Sequence, residues 1–368
     1  MLVPALQQQQ AFGTFVTAVV LFSAAITPSV SARQIPLLHQ DSVEQKRSLD
    51  IPGIGLGLWN SEGENATKAV GSAFDAGYAH LDGAAAYEKN STSTHALWKP
   101  GNEKFVGAGL GSSSTPARHK YWLTSKLWND AHQPKLVRKA LEQTLSDLGT
   151  PYLDLYLMHW PVAFLPDQSP GRNVLDQDTS IQDTWRAMED LVRANLTRYI
   201  GVSNFSPRQL DELLQDAKIK PYAHEFETHP YLQQQEFVQW HVENDIRVIA
   251  YSPLANSNPT YDKKYPKLDP ILADRFWTEL ALKKDITAAQ AVLGWGIQRG
   301  TIVIPKSVHE QRIVENLGAL NVTFSEKELA EIATQDKKAR FNNPSKSWGV
   351  ELFEGLDDGS NRFLAQDL

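Results

Sequence analysis

The chain has 368 residues, of which 36 are Lys or Arg and 43 are Asp or Glu, so its formal net charge is −7. It contains no cysteine, which excludes disulfides, cysteine-ligated zinc, iron–sulfur clusters and a cysteine nucleophile. The acidic balance argues against a nucleic-acid-binding protein, because such proteins need a basic surface to displace counterions.

An uncharged apolar run lies near the amino terminus, at residues 11–26, and the small residues Val30-Ser31-Ala32 follow it. The run is short for a membrane span and has the length of a signal-peptide core. No Lys or Arg precedes it, so a retained membrane anchor or a disordered tail is the alternative. We expect residues 1–32 to be a cleaved secretory signal, which places the mature protein in the secretory pathway or outside the cell. Without a signal, the protein would be cytoplasmic.

Eight short β-rich runs follow, separated by segments with helical periodicity, most clearly residues 135–149 and 181–192. Several runs are apolar almost throughout, as expected when both faces of a parallel strand are covered. Eight strand–helix units predict a single-domain α/β fold, the (β/α)8 barrel. An open doubly wound sheet is the competitor, but no complete G-x-G-x-x-G fingerprint supports it. The predicted strands are residues 54–59, 80–84, 121–128, 153–160, 199–204, 223–228, 246–252 and 301–305.

Polar side chains end several of these apolar strands, where a barrel of this kind carries its working residues. Asp82 ends the second strand, Lys126 the third and His159 the fourth, and Tyr87 comes five residues after Asp82. An ammonium beside a phenol favours the phenolate, a carboxylate keeps the ammonium charged, and an imidazole polarises a substrate oxygen. Each residue alone is more often structural. Together they predict a general acid that protonates a carbonyl oxygen while a cofactor supplies hydride.

Seven sequence motifs follow one another along the chain: AGYAHLDGAAAY (76–87), LTSKLWND (123–130), DLYLMHWP (154–161), YIGVSNFS (199–206), ETHPYLQQ (227–234), IAYSPL (249–254) and IPKSVHEQRIVENL (304–317). Through these motifs and their order, the chain resembles the aldo-keto reductase family over about residues 50–335. The resemblance implies a monomer that uses NADP(H) to reduce aldehydes or ketones to alcohols, or to run the reverse oxidation. The implied catalytic tetrad is Asp82, Tyr87, Lys126 and His159.

The resemblance also implies a cofactor that lies extended across the barrel mouth. Ser203 and Asn204 would hold the nicotinamide carboxamide, and Tyr251 would stack on the ring. A Lys, a hydroxyl and an Arg at a helix start suit the dianionic 2′-phosphate, which favours NADP(H) over NAD(H). The implied cofactor-binding residues are Ser203, Asn204, Glu225, Tyr251, Ser252, Leu254, Lys306, Ser307, Arg312, Glu315 and Asn316.

Large aromatic side chains match family positions that wall the substrate pocket. They suggest aldehydes or ketones with apolar or aromatic bodies. The expected barrel domain spans residues 33–368, and its tail, residues 336–368, is expected to cover the pocket and set specificity. The implied substrate-binding residues are Trp59, Trp128, His159, Trp160 and Phe164.

Two departures from the family pattern lie in this region. Glu225 stands where the family usually has a Gln, and a carboxylate accepts from the carboxamide NH2 but cannot donate to its oxygen. We expect Glu225 to weaken NADPH relative to NADP+ or to favour alcohol oxidation, unless the substitution is neutral or the acid is protonated. The second departure is an insert, residues 88–100, between Tyr87 and the Gly-Asn-Glu sequence that begins at Gly101.

The insert is either a substrate-gating loop, a flexible excursion or a gene-model artefact such as a retained intron. If it displaces Tyr87, the tetrad fails. The chain would then be a catalytically weak NADP(H)-binding regulatory or partner-binding protein. No metal is expected, because the segment from His224 to His229 imitates H-E-x-x-H with wrong spacing, and strand alternation puts His224 on the face opposite Glu225. No nucleic-acid partner is expected, and a membrane is expected only if residues 1–32 are retained as an anchor.

Overall fold

Eight parallel strands form one sheet in which each strand pairs with the next in chain order. The two edges of that sheet also bond to each other: the Gly57 amide donates to the Pro305 carbonyl at 3.0 Å, and the Val303 amide donates to the Gly53 carbonyl at 3.0 Å. The sheet is therefore closed, and the fold is the predicted (β/α)8 barrel rather than an open doubly wound sheet. Each of the eight predicted runs overlaps a strand, and β5 begins two residues before its predicted run: β1 (Leu56–Gly57), β2 (His80–Asp82), β3 (Trp122–Leu127), β4 (Leu153–Met158), β5 (Thr197–Ser203), β6 (Ala223–Glu227), β7 (Arg247–Tyr251) and β8 (Thr301–Val303).

The first strand is much shorter than the predicted run of residues 54–59. Its pairing with β8 continues only as isolated bridges, at Ile54 and at Gly57. Gly57 lies so close to β8 that a Cβ atom would come within 2.6 Å of the Ile304 carbonyl oxygen. Glycine at this position therefore permits the close approach that closes the barrel.

The helices form the outer layer of the barrel, and the two segments predicted most clearly become α3 and α4. Helix α3 begins at Pro134 and ends where Gly149 adopts a left-handed φ of 63°, as glycine commonly does after a helix. Helix α4 buries Trp185 and Met188 against the barrel. The helices are α1 (Gly63–Ala76), α2 (Glu103–Leu110), α3 (Pro134–Leu148), α4 (Ile181–Arg193), α5 (Pro207–Asp216), α6 (Gln235–Glu243), α7 (Arg275–Lys284), α8 (Ala288–Gln298), α9 (Glu310–Leu317), α10 (Glu326–Ala333) and α11 (Ser345–Trp348).

Stacked aromatic rings fill the amino-terminal end of the barrel interior. The centroid of the Trp122 ring lies 5.6 Å from that of Tyr199, and the Tyr199 ring lies 3.9 Å from that of Tyr222. Trp122 is the first residue of β3, Tyr199 is the third residue of β5, and Tyr222 directly precedes β6. Because this end is packed, the carboxyl end of the strands is the one open to a ligand.

This computed structural model describes residues 50–61, 63–85, 101–166, 168, 173–258, 261 and 268–356. The predicted signal segment, Tyr87 and the insert at 88–100 lie outside the described residues. The described residues all belong to one compact unit. Within them, no helix has the length and apolar character needed to cross a membrane.

Candidate active site

Asp82 and Lys126 form a buried ion pair at the carboxyl ends of β2 and β3. Their atoms Nζ and Oδ1 are 2.5 Å apart, and Nζ also donates to the Gly83 carbonyl at 3.0 Å. The Lys126 side chain is 0% exposed and the Asp82 side chain is 1% exposed. A buried ammonium needs such a partner, because an unpaired charge in the interior is very costly. The carboxylate thus holds Lys126 in place at the barrel mouth.

Glu225, on β6, reaches the same ammonium from the other side of the barrel. Its Oε1 lies 3.3 Å from Lys126 Nζ, so Glu225 and Asp82 face the same ammonium. Burial raises the pKa of Glu225 well above its usual range, the charge of Asp82 raises it further, and Lys126 opposes both. Burial also raises the pKa of Asp82 against the opposing effect of Lys126. One buried cation therefore faces two carboxyl groups, an arrangement that the sequence did not reveal. We call Lys126, Asp82 and Glu225 the Lys126 cluster.

His159 follows β4 and lies at the edge of the same cavity. Its backbone amide donates to the Leu127 carbonyl at 3.1 Å, and its ring lies 5.1 Å from that of Trp128. Burial lowers the pKa of His159 well below its usual value, and the charge of Lys126 lowers it further. The imidazole is therefore neutral at neutral pH and can hydrogen bond a substrate oxygen without adding charge.

The described residues on either side of the segment that would carry the proton donor lie next to each other. Tyr87 itself lies outside the described residues, but Ala85 and Gly101, on either side of the segment, are in contact, and a Cβ atom on Gly101 would clash with the Ala85 carbonyl. Asn102 then anchors the start of α2 by donating to the Leu58 and Ser61 carbonyls at 2.8 and 2.9 Å. The described ends of the segment are thus joined next to Asp82.

Asn204 and Tyr251 connect β5 and β7 across the barrel mouth. The Tyr251 hydroxyl donates to Asn204 Oδ1 at 2.7 Å, and Asn204 Nδ2 donates to the His159 carbonyl at 3.0 Å. Asn204 has a φ of 62°, a conformation that asparagine adopts more readily than most residues. Ser203 lies opposite Glu225 in the register of β5 and β6. The residues predicted to hold the nicotinamide therefore lie at the same end of the barrel as the Lys126 cluster.

One cavity of about 850 Å³ joins this cluster to the start of α9, a volume within the range of about 300–1,000 Å³ for small-molecule sites. Ten of the predicted cofactor residues line it, and Ser203 does not. The lining matches a nicotinamide dinucleotide: an aromatic ring and an acceptor lie at one end, and cationic side chains at the other. Those ten residues are Asn204, Glu225, Tyr251, Ser252, Leu254, Lys306, Ser307, Arg312, Glu315 and Asn316.

A buried polar atom inside the cavity adds to this match. Glu225 Oε2 receives no hydrogen bond from a donor group in the part of the chain that the structure describes. An acceptor in this state is a natural partner for a carboxamide NH2 group. At the other end, the Ser307 hydroxyl accepts from the His309 amide at 3.1 Å, which orders the turn into α9 beside Lys306 and Arg312.

Aromatic side chains wall the cavity on the side of β1 and β4, as predicted for Trp59, Trp128 and Trp160. Phe164 is placed differently. It is only 2% exposed, its ring packs 5.2 Å from that of Trp348, and it does not line the cavity.

The tail lines the cavity, as expected for residues 336–368, but sequence reasoning did not name the tail and loop residues that complete the wall. Trp348, on α11, makes edge-on contacts with Trp128 at 6.3 Å and Trp160 at 5.0 Å. Asn342 and Tyr261 also line the cavity. The aromatic residues at 341, 348 and 353 were a usable signal, because a solvated tail has little reason to carry them.

The histidine-rich segment of β6 is arranged as strand alternation predicts. His224 points away from the Lys126 cluster, and its Nδ1 lies 2.8 Å from His241 Nε2 on α6. The described residues contain no group of three or more His, Asp or Glu placed to hold a metal ion.

Three comparisons with known proteins agree. The aldo/keto reductase family profile matches residues 53–337. An uncharacterized oxidoreductase of Schizosaccharomyces pombe is 42% identical over 84% of this chain and 92% of its own, and aldo-keto reductase family 1 member A1 of Sus scrofa is 38% identical over 80% and 89%. The structure of an aldose reductase from Schistosoma japonicum superposes with a TM-score of 0.71 at 34% identity and covers 83% of this chain and 95% of its own. The chain therefore belongs to the aldo/keto reductase family, whose members are oxidoreductases that act on carbonyl compounds and generally use NAD(P)H.

Proposed function

We propose that the chain is an NADP(H)-dependent carbonyl reductase in which Tyr87 donates the proton. The buried Asp82–Lys126 pair at the barrel mouth, 2.5 Å between its charged atoms, is the observation that carries this proposal. A pair this deeply buried next to a cavity is costly for the fold, and a general acid that needs an adjacent cation accounts for it.

The roles follow from charge and position. Lys126, held by Asp82, lowers the free energy of a phenolate beside it and so makes the Tyr87 hydroxyl a better acid. His159, neutral because of its burial, orients the carbonyl oxygen through a hydrogen bond. Bound nicotinamide supplies the hydride. The reaction is reversible, so the same groups serve alcohol oxidation.

The cationic end of the cavity supports the phosphorylated form of the cofactor. Lys306 and Arg312 line the cavity together with Ser307, and an Arg fork next to an ammonium suits a dianionic phosphate. Removing such a contact costs about 1.5–3 kcal/mol. The variant Arg312→Leu should therefore lose roughly 10–100-fold in affinity for NADPH but little in affinity for NADH.

The aromatic wall supports aldehydes and ketones with apolar or aromatic bodies as substrates. The direct test follows NADPH absorbance with benzaldehyde, and compares wild type with Tyr87→Phe. We expect turnover in wild type and a loss of about 10²–10⁴-fold in the variant. Tyr152→Phe is the matched control, because Tyr152 lies before β4 at the opposite end of the barrel.

NADPH binding without turnover would contradict this proposal. That outcome would support the alternative, a regulatory or partner-binding protein on the same scaffold, and the insert at 88–100 would be its first point of study. We further propose that residues 1–32 are a secretory signal. Amino-terminal sequencing of the protein from its native source tests this, and an intact Met1 would contradict it.

A further inference from the structure

The position of Glu225 deepens the proposed function. Glu225 lines the cavity and also pairs with Lys126 at 3.3 Å. Glu225 therefore connects the proposed cofactor site to the Asp82–Lys126 ion pair, which activates the proton donor in the proposed function. A Gln, which the family usually has here, would carry no charge into this cluster.

The charges of Lys126, Asp82 and Glu225 balance only if one of the two carboxyl groups is protonated. Asp82 Oδ1 lies 2.5 Å and Glu225 Oε1 lies 3.3 Å from Lys126 Nζ, so two buried carboxyl groups face the same ammonium. One ammonium does not balance two buried carboxylates, so protonation of one of them is the low-energy state. Among the described residues, neither Asp82 Oδ2 nor Glu225 Oε2 accepts a hydrogen bond.

The neighbouring strands add no further charge that faces Glu225. Opposite it in the sheet lie Ser203 of β5 and Ile249 of β7, neither of which is ionisable. Asp82 of β2 and Lys126 of β3 are the charged groups that act on it. Glu227, further along β6, is engaged elsewhere, by His229 and by the Phe341 and Asn342 amides.

We propose that Asp82 and Glu225 share one proton beside Lys126, and that the loss of this proton makes the site prefer the oxidised, cationic nicotinamide over the reduced, neutral one. The proposal rests on the proposed function. With the proton, the three side chains carry no net charge, and without it they carry −1. That charge lies at the wall of the cavity, where it attracts a cationic ring. Glu225 thus lines the cofactor site and also acts on it through the charge that it shares with Lys126 and Asp82.

The first test measures nucleotide binding as a function of pH. Quenching of tryptophan fluorescence gives dissociation constants for NADPH and NADP+ from about pH 6 to about pH 9, a range that brackets a strongly raised carboxyl pKa. In wild type the ratio Kd(NADPH)/Kd(NADP+) should rise with pH, with a limit of about tenfold per pH unit for one proton. In Glu225→Gln the ratio should be flat. A flat ratio in wild type, or an unchanged rise in the variant, would overturn the proposal.

Glu103→Gln is the matched control. Glu103 is another buried carboxyl group, bonded to the Ser125 and Thr144 hydroxyls at 2.6 and 2.9 Å, and it does not line the cavity. The wild-type rise should persist in this variant. A loss of the rise here would assign the proton to Glu103 and contradict the proposal.

The second test needs no nucleotide. A protonated carboxyl group has an infrared C=O band that a carboxylate lacks, so the difference spectrum between wild type and Glu225→Gln at neutral pH should show one such band, removed by the substitution. Its absence would overturn the shared proton. If the band is present but wild type binds neither nucleotide, the proposed function fails. The effect on nucleotide preference then fails with it, whereas the proton shared by Asp82 and Glu225 stands.

A variant that keeps an ionisable group covers the case in which Glu225→Gln does not fold. In Glu225→Asp the shorter side chain withdraws the carboxyl group from Lys126. The ratio should stay pH-dependent with a shifted midpoint. An unshifted midpoint would show that the titrating group is not at this position.

Discussion

The two ends of the barrel each bury a cluster of acidic and basic side chains, and the clusters differ in their balance of charge. At the amino end, Asp154 accepts from Arg118 at 2.6 Å and from Arg198 at 3.1 Å, and the Leu123 amide donates to it at 2.9 Å. Each carboxylate oxygen of Asp154 therefore accepts a hydrogen bond from an arginine. At the carboxyl end, two carboxyl groups share the single ammonium of Lys126.

This difference separates stability from chemistry. A carboxylate with all of its hydrogen bonds made, as at Asp154, ties β3, β4 and β5 together and has nothing left to offer a ligand. The cluster around Lys126 retains unsatisfied acceptors and an excess proton, which is unfavourable for folding but useful for proton transfer. We therefore expect substitutions at the two ends to have opposite consequences.

The largest expected effect is the loss of activity in Lys126→Met. Without the ammonium, the Tyr87 phenol loses the charge that favours its ionised form, and Asp82 loses its partner. Carbonyl reduction should fall by about 10²–10⁴-fold, measured as kcat with NADPH at saturation. Turnover within a few-fold of wild type would show that Lys126 is only structural and would remove the contrast between the two ends.

The counterpart at the amino end is Arg118→Met. Arg118 bonds Asp154 and also the Tyr121 and Tyr152 carbonyls at 2.9 Å, so its removal should lower the free energy of unfolding by about 3 kcal/mol, with kcat of the folded enzyme unchanged. Urea unfolding measures the first and NADPH consumption the second. Arg138→Met, which breaks an exposed pair with Glu142, is the control and should cost less than about 1 kcal/mol. A stable Arg118→Met with low kcat would contradict the comparison.

The fold was predictable because strand and helix periodicity are local properties. The apolar run at residues 153–160 and the helical periodicity at 135–149 indicate β4 and α3 from their own residues alone. The strand-end rule then identified Asp82 and Lys126 as neighbours, since carboxyl ends of parallel strands meet at one edge. The first strand was overestimated, because its pairing depends on how closely Gly57 approaches β8.

The parts that sequence reasoning missed depend on contacts between distant segments. Glu225 was predicted as a cofactor ligand, but its bond to Lys126 crosses the barrel interior from β6 to β3 and has no local signal. Trp348 reaches the mouth only through the path of the tail. That path is set by Glu227, which accepts from the Phe341 and Asn342 amides at 2.6 and 2.7 Å.

Glu103 sharpens the comparison, because it is a buried carboxyl group that pairs with hydroxyls. Burial raises its pKa from 4.5 to about 7. The folded state therefore holds this proton more tightly than the unfolded state, so the stabilisation is complete below the unfolded pKa and is lost as pH rises through about 7. Glu103 should contribute about 3 kcal/mol of pH dependence.

Urea unfolding of Glu103→Gln between about pH 5 and about pH 8 checks this expectation. The variant should lose less stability than wild type across this range. Glu236→Gln, at an exposed position on α6, should behave as wild type. A fall in stability with pH that is the same in all three proteins would show that Glu103 ionises normally.

The smallest expected effect concerns the tail that covers the functional end. Trp348 packs on Trp128, Trp160 and Phe164, so Trp348→Ala opens the wall that a flat substrate would contact. We expect the KM for benzaldehyde to rise by roughly 5–30-fold, equivalent to about 1–2 kcal/mol of lost aromatic contact, with a smaller change for propanal. Trp240→Ala, on α6 away from the cavity, should leave both values unchanged. Equal increases for the two aldehydes would mean that the tail holds the barrel mouth in shape, and that the functional end, like the amino end, uses its packed aromatic rings for stability alone.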